Sequence, residues 1–179
     1  ARGATVTLVS GPVSLKAPLG VKVISVESAT QMWDAVMAEF PDTDIVIKAA
    51  AVADFRPESV ELQKIKKASG TLTIQLKKNP DILVELGNRK TNQFLVGFAA
   101  ETQDLLRHAE EKLRKKNLDM LVANDVTLAG AGFDSDTNIV RLLEPDGTVE
   151  ELPQMSKKEL GELLLDRIVA RISVQKKKV

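Results

Sequence analysis

DIVIKAAAVADFRPESVELQKIKK, residues 44–67, decides the fold. It opens as a buried strand at Ile45, Val46 and Ile47. It then crosses Ala49, Ala50 and Ala51, whose side chains are too small to block a ligand. From Asp54 the stretch turns polar, through Phe55, Arg56 and Pro57, and it ends in the basic run Lys64-Ile65-Lys66-Lys67. An apolar strand whose carboxyl end dissolves into a long polar segment marks the ligand crevice of an open α/β sheet. Residues 53–70 are too long and too charged for a simple connector and read as a flap.

Outward from this stretch, strands and helices alternate. Thr5–Val9 and the alternation at Val21, Val23 and Val26 precede it, with a helix carrying Met32, Trp33, Val36, Met37 and Phe40 on one face, capped by Ser28 or Thr30. Beyond it, Thr71–Leu76 alternates as a half-exposed strand. Asn79-Pro80-Asp81 reads as cap, first helical position and first turn. Phe94–Ala99 and Asp119–Ala123 are buried strands around a helix at 103–117. Residues 124–137 form a polar loop, and two strands pair around Pro145-Asp146-Gly147. Ser156-Lys157-Lys158-Glu159 is a capping box for a last helix striped by Leu160, Leu163, Leu164, Ile168 and Ile172. This order predicts a Rossmann-like three-layer α/β sandwich: a mainly parallel sheet with an antiparallel edge hairpin, in one domain over 1–179.

Composition narrows the chemistry. Among 179 residues there are 25 basic and 25 acidic ones, so no global field favours nucleic acid or membrane. No apolar run approaches the ~20 residues of a membrane span. The chain has no cysteine and no tyrosine, which excludes disulfides, thiolate chemistry and a Tyr/Lys reductase, and the lack of cysteine fits a cytoplasmic setting. No GxxxxGK[ST], HExxH, GxSxG or GxGxxG pattern occurs.

Four places can bear chemistry. The helix start at Asn79–Ile82, preceded by Lys77 and Lys78, is either a phosphate site or simply a well-capped helix. Lys64, Lys66 and Lys67 either close over a polyphosphate or form a solvated charge run. Lys112 and Lys116, four apart, share a helix face and repel mildly unless an anion lies between them. Asp54 at the strand end suits a ribose hydroxyl, a metal-bound water or a loop cap. Phe98 and Glu101, and Asn124 and Asp125, end strands at the same sheet edge; Phe98 faces either a base or the core. His108, amid charges, reads as a surface residue.

Taken in order, AAAVADFRP, KIKK, KNPDIL, VGFAAET, KKNLDMLVANDV and GFDSDTN resemble the phosphopantothenate–cysteine ligase (phosphopantothenoylcysteine synthetase) domain over essentially the whole chain. In most bacteria that domain is the C-terminal half of a bifunctional coenzyme A biosynthesis protein, fused to a decarboxylase half that alone carries FMN. The resemblance implies a cytoplasmic homodimer using Mg²⁺ and CTP. The carboxylate of 4′-phosphopantothenate attacks the α-phosphate, and cysteine then displaces CMP from the acyl-cytidylate.

It also places Asp54, Lys64, Pro80, Asp81, Ile82, Leu83, Phe98, Lys112 and Lys116 on the family's nucleotide-binding positions, with Lys64 on the flap as the catalytic residue; metal ligands stay unassigned. The chain departs from the pattern at its start, where the family carries a further strand, an Asn-x-Ser-Ser-Gly loop and a helix. The expectation is therefore an N-terminally incomplete ligase domain. A non-catalytic, dimerising, nucleotide-binding relative acting through protein partners is the alternative. A dinucleotide-dependent oxidoreductase, sharing the fold, lacks its glycine fingerprint.

Overall fold

The structure, a computed structural model, describes residues 2–61, 63–64, 70–101, 105–125 and 137–176. In chain order the elements are β1 (Thr7–Ser10), β2 (Lys22–Ser25), α1 (Ala29–Glu39), a 3₁₀ turn (Phe40–Asp42), β3 (Ile45–Lys48), β4 (Phe55–Pro57) and β5 (Leu76–Lys78). They continue with α2 (Ile82–Arg89), β6 (Phe94–Glu101), α3 (Leu105–Lys115), β7 (Met120–Asp125), β8 (Thr137–Asn138), β9 (Val140–Leu143), β10 (Val149–Glu151), β11 (Met155–Ser156) and α4 (Lys157–Lys176). They fall into two compact units, residues 1–41 with 51–82, and residues 42–50 with 83–179.

The second unit is built on a five-stranded sheet in the order β10-β9-β7-β6-β3. Strands β3, β6 and β7 are parallel, and β9 and β10 complete the edge antiparallel. This is the expected mainly parallel α/β sheet with an edge hairpin. Period-two alternation sorts its side chains into two layers. Phe94, Val96, Met120, Val122, Val140 and Leu142 pack with Leu160, Leu164 and Ile168 of α4. The intervening Leu95, Leu121 and Leu143 are equally buried. Helices α2 and α3 cover that second face. There Leu83, Leu86, Ala109 and Leu113 are buried. Gly97 is required for the approach, since a Cβ on it would stand 2.8 Å from Leu118 and 3.0 Å from Leu83.

Local signals act where the sequence places them. Ser156 Oγ accepts from the Glu159 N–H while the Glu159 carboxylate accepts from the Ser156 N–H, and this capping box starts α4. In the edge hairpin Gly147 takes φ 87°, and the Thr148 N–H donates to Asp146 Oδ1. Helix α3 ends in a Schellman motif: Asn117 has φ 49°, its N–H donates to the Arg114 carbonyl, and the Leu118 N–H donates to the Leu113 carbonyl.

In the first unit β1 and β2 pair in parallel. Helix α1 is capped by Ser28 with Gln31 closing a capping box. Glu39 near its end ties both strands, accepting from Thr7 Oγ1 at 3.3 Å and from Lys22 Nζ at 2.7 Å. The Lys22 hydrogen bond holds the Glu39 carboxyl below its ordinary value. Strands β4 and β5 form a second, antiparallel pair with Phe55 opposite Lys78 and Arg56 opposite Lys77.

Two expectations need correction. Strand β3 is not buried on both sides: it is an edge strand of its sheet, and Ile47 is 44% exposed. The alternation over Thr71–Leu76 yields a strand only at Leu76–Lys78. Leu72, Ile74 and Leu76 are 66%, 61% and 59% exposed. An alternating segment becomes a half-buried strand only when something covers its apolar side, and nothing among the described residues covers this one. Among the described residues, no helix is long and apolar enough to cross a membrane.

Candidate functional site

In the first unit, Ala53 and Asp54 meet the residues that lead into α2. The Asn79 N–H donates to the Asp54 carbonyl at 2.7 Å, and Asn79 Nδ2 donates to the Ala53 carbonyl at 2.8 Å. Arg56 Nη1 donates to Asn79 Oδ1 at 2.6 Å and to the Lys78 carbonyl at 3.2 Å. Asn79 is 7% exposed. Its side chain is thus committed to β4 and the residues before it. This corrects the expected cap: α2 begins at Ile82, which places Asp81 at the N-cap position and Pro80 before it. The amide has stronger calls on it, since a buried Asn left unpaired would carry a desolvation penalty.

The structure therefore brings Asp54, which directly precedes β4 rather than ending β3, beside Asn79 and Pro80 at the approach to α2. Asp54 and Asp81 are exposed, Pro80 is half-buried, and Ile82 and Leu83 are buried. At the last two positions only main chain can face a ligand. Lys64, Lys77 and Lys78 are exposed, and their ammonium groups have no partner among the described residues. Lys66 and Lys67, and most of the flap tip, lie outside the described residues.

In the second unit, Phe98 is half-buried and packs on the α4 face of the sheet, against the cluster of Val96, Val122 and Leu164. Lys112, on α3, and Lys116, just past its end, are half-buried; Leu113 of α3 lines a small surface depression with Leu143 on the opposite sheet face. Lys112 stands about 10 Å along the helix from Leu105, at a rise of about 1.5 Å per residue, and Lys116 follows the helix end. The structure thus sets Phe98 and these two lysines on different layers and does not bring them together. His108 sits beside Arg107, whose guanidinium lies 3.2 Å from its Nε2.

Near the carboxyl end of β7, Asn124 pairs in register with Ala100 and Val140. Asn138 pairs with Met155. The Oδ1 atoms of both asparagines are buried without a hydrogen-bond partner, two acceptors of the kind that a ligand donor satisfies. Asn124 was legible as a strand-end residue; Asn138 closes the GFDSDTN piece of the resemblance but is not among the expected site residues. Arg56 and Asn79 were missed as a pair, and the only sequence signal for them is that two short extended segments flank the flap.

Among the described residues no group of three or more His, Asp or Glu side chains is placed to hold a metal ion. Mg²⁺ keeps several waters and leans on substrate phosphates with one or two carboxylates. Asp54, exposed beside a helix start, fits that limited protein share.

Comparison with known proteins agrees with this architecture. Residues 1–172 match the model of the DNA/pantothenate metabolism flavoprotein C-terminal domain. The chain is similar to the coenzyme A biosynthesis bifunctional protein CoaBC of Bacillus subtilis, 53% identical over 169 residues, covering 94% of this chain and 42% of that protein. It is 47% identical over 174 residues to CoaBC of Escherichia coli, covering 95% of this chain and 43% of that protein. The chain thus spans about two fifths of the length of these relatives.

Among solved structures, the C-terminal domain of a coenzyme A biosynthesis bifunctional protein CoaBC superposes with a TM-score of 0.80 at 42% identity, over 96% of this chain and 76% of that one. A Cab2 mutant in complex with phosphopantothenate-cysteine shares the fold alone, with a TM-score of 0.68 at 20% identity, over 89% of this chain and 56% of that one. With a match to nearly all of its residues and these relatives, the chain belongs to the family of the DNA/pantothenate metabolism flavoprotein C-terminal domain.

Proposed function

We propose that this chain is the ligase domain of coenzyme A biosynthesis, which joins 4′-phosphopantothenate to cysteine at the expense of CTP. One observation supports this above the others. Asp54 and the Pro80–Ile82 helix start are held side by side, and the exposed ammonium groups of Lys64, Lys77 and Lys78 have no carboxylate partner among the described residues. Unpaired cations leading into a helix N-terminus, as Lys77 and Lys78 do here, are what a polyphosphate requires, and Lys64 is taken to join them from the flap.

The chemistry follows from charge. A carboxylate and a triphosphate repel one another, so attack on the α-phosphate needs cations to hold them at contact and to stabilise the charge that grows on pyrophosphate. In this reading Lys64 supplies that stabilisation from the flap, and the main chain at Pro80–Leu83 receives the phosphates. Asp54 orients the ribose or a metal-bound water. Mg²⁺, entering with CTP, would neutralise phosphate charge, with Asp54 as its protein contact. The amine of cysteine then displaces CMP from the acyl-cytidylate. No nucleophilic side chain is needed, which suits a chain without cysteine or tyrosine.

Phe98 is proposed to border the base. Lys112 and Lys116 remain nucleotide contacts on the strength of the resemblance, and their distance down α3 suits a site completed near a dimer interface. A homodimer is part of the proposal, with the exposed row of Leu72, Ile74 and Leu76 as its apolar contribution. Fusion to a decarboxylase and a cytoplasmic location belong to it as well.

The test is calorimetric titration with CTP and with ATP in the presence of Mg²⁺, followed by assay of pyrophosphate release on adding 4′-phosphopantothenate. Saturable CTP binding with pyrophosphate release supports the reading. CTP binding without release favours the non-catalytic, dimerising alternative, and absence of binding overturns both.

A further inference from the structure

We infer that Arg56 and Asn79 are positioning residues that hold Asp54 and the turn at Pro80 together as one nucleotide-binding element. The inference rests on the reading of Asp54 and that turn as nucleotide contacts, and deepens it. Neither Arg56 nor Asn79 is placed on the ligand by that reading.

The geometry is specific. Asn79 is the one buried polar residue among the described residues, and each of its polar groups on this side is used. Its N–H reaches the Asp54 carbonyl, its Nδ2 reaches the Ala53 carbonyl, and its Oδ1 receives Arg56. Arg56 Nη1 is shared between the Lys78 carbonyl and Asn79 Oδ1, so the guanidinium bridges from β4 to the last residue of β5 and the residue after it.

No carboxylate among the described residues pairs with Arg56, so its charge is spent on neutral acceptors; hydrogen bonds to a charged donor are stronger than neutral ones. The two strands are only three residues long each, too few for ladder hydrogen bonds alone to set a rigid relationship. Between them the chain makes the excursion from Glu58 to Gln75. The Glu58 N–H closes that excursion at its base by donating to the Gln75 carbonyl; at the other end of the two strands the Arg56–Asn79 bridge fixes where Asp54 stands relative to the main chain at Pro80. A misplacement of the order of 1 Å at such a site is enough to cost binding or rate substantially.

The experiment is titration of this chain with CTP and Mg²⁺ for the wild type, Asn79→Ala, Arg56→Met, the double variant and Arg56→Lys. Positioning predicts that each of the first two raises Kd about tenfold or more at unchanged stoichiometry. The double variant is then no worse than the weaker single one, because the two residues act as a unit. Arg56→Lys, which keeps a charged donor, falls between the wild type and Arg56→Met.

A lowered stoichiometry at wild-type Kd would mean that the substitutions only reduce the folded fraction, and would overturn the inference. So would Kd values within twofold of the wild type, or strictly additive losses, which would make Arg56 a direct ligand contact. These outcomes leave the ligase reading intact. A wild-type chain that binds no CTP removes that reading, and this one with it.

Discussion

The carbonyl oxygen of Lys116 occupies the space into which a side chain on Gly87 would project, 2.1 Å from where its Cβ would fall. Helices α2 and α3 meet there backbone to backbone, and Asn117 Nδ2 seals the contact by donating to the Gly87 carbonyl at 2.9 Å. The obstacle is main chain at the end of a Schellman motif, so it cannot swing away as a side chain would. Gly87→Ala should therefore destabilise the protein by about 3 kcal/mol. Urea unfolding reads this directly, and a loss below about 1 kcal/mol would show that the two helices can separate freely.

Gly161 gives the opposite expectation from the same residue type. It lies inside α4, is exposed, and a Cβ built on it meets nothing within 4 Å. Gly161→Ala should stabilise by about 0.5–1 kcal/mol, through the lower backbone entropy of the unfolded chain. A thermal melt that fails to rise would point to an unseen contact at this surface.

Lys90 and Asp119 form a pair with side chains 14% and 12% exposed, 2.7 Å apart. Asp119 Oδ2 also accepts from the Leu95 N–H at 2.7 Å, so it fastens the start of β7 to β6. Asp119→Ala leaves a half-buried ammonium without its counter-ion, holding only the Asn117 carbonyl at 3.3 Å, and leaves a main-chain donor unpaired; it should cost about 2–3 kcal/mol. Lys90→Met, which removes the charge but keeps most of the volume, should cost less. Equal losses in denaturant melts would argue that the ion pair alone matters.

Arg167 donates to both oxygens of Glu150, with Nε at 2.8 Å from Oε2. This hydrogen bond, opposed in part by burial, holds the Glu150 carboxyl below its ordinary value. A depressed folded-state value means that the pair stabilises fully above the unfolded carboxyl's pKa, near 4.3, and loses that contribution as pH falls through the folded one. Stability measured from about pH 6 to pH 3 should therefore fall less steeply in Arg167→Met than in the wild type. Parallel curves would show that the pair is solvent-screened.

Lys64 is the flap position on which the proposed chemistry depends most. Lys64→Gln should weaken CTP binding and abolish acyl-cytidylate formation while leaving thermal stability unchanged, since the side chain is exposed. Undiminished turnover in this variant would refute its assignment.

Much of the architecture was legible from residues acting on near neighbours. Ser156 with Glu159 and Pro145-Asp146-Gly147 each specify a cap or turn within four residues, while Ser28 stood beside Thr30 as a cap until the structure showed Gln31 closing its box. The apolar runs at Phe94–Ala99 and Met120–Ala123 are buried because both sheet faces are covered. Asn79 shows the limit: before a proline and an aspartate it has the pattern of a helix cap. Its partners Ala53 and Arg56 lie 26 and 23 residues back, and no local pattern announces them. Gly87 likewise reads as a weak point in a helix until Lys116 is brought against it.

What the sequence by itself determined is the order and kind of the elements, and the basic and acidic groups on which the proposed site draws, because propensity, capping and charge are local properties. The tertiary structure alone decided which groups stand together. It committed Asn79 to Arg56 rather than to α2, set Phe98 and Lys112 on different faces of one sheet, and left Ile47 on an edge strand. Those outcomes depend on strand order and crossover handedness, which bring residues together across the chain through packing that no short stretch encodes.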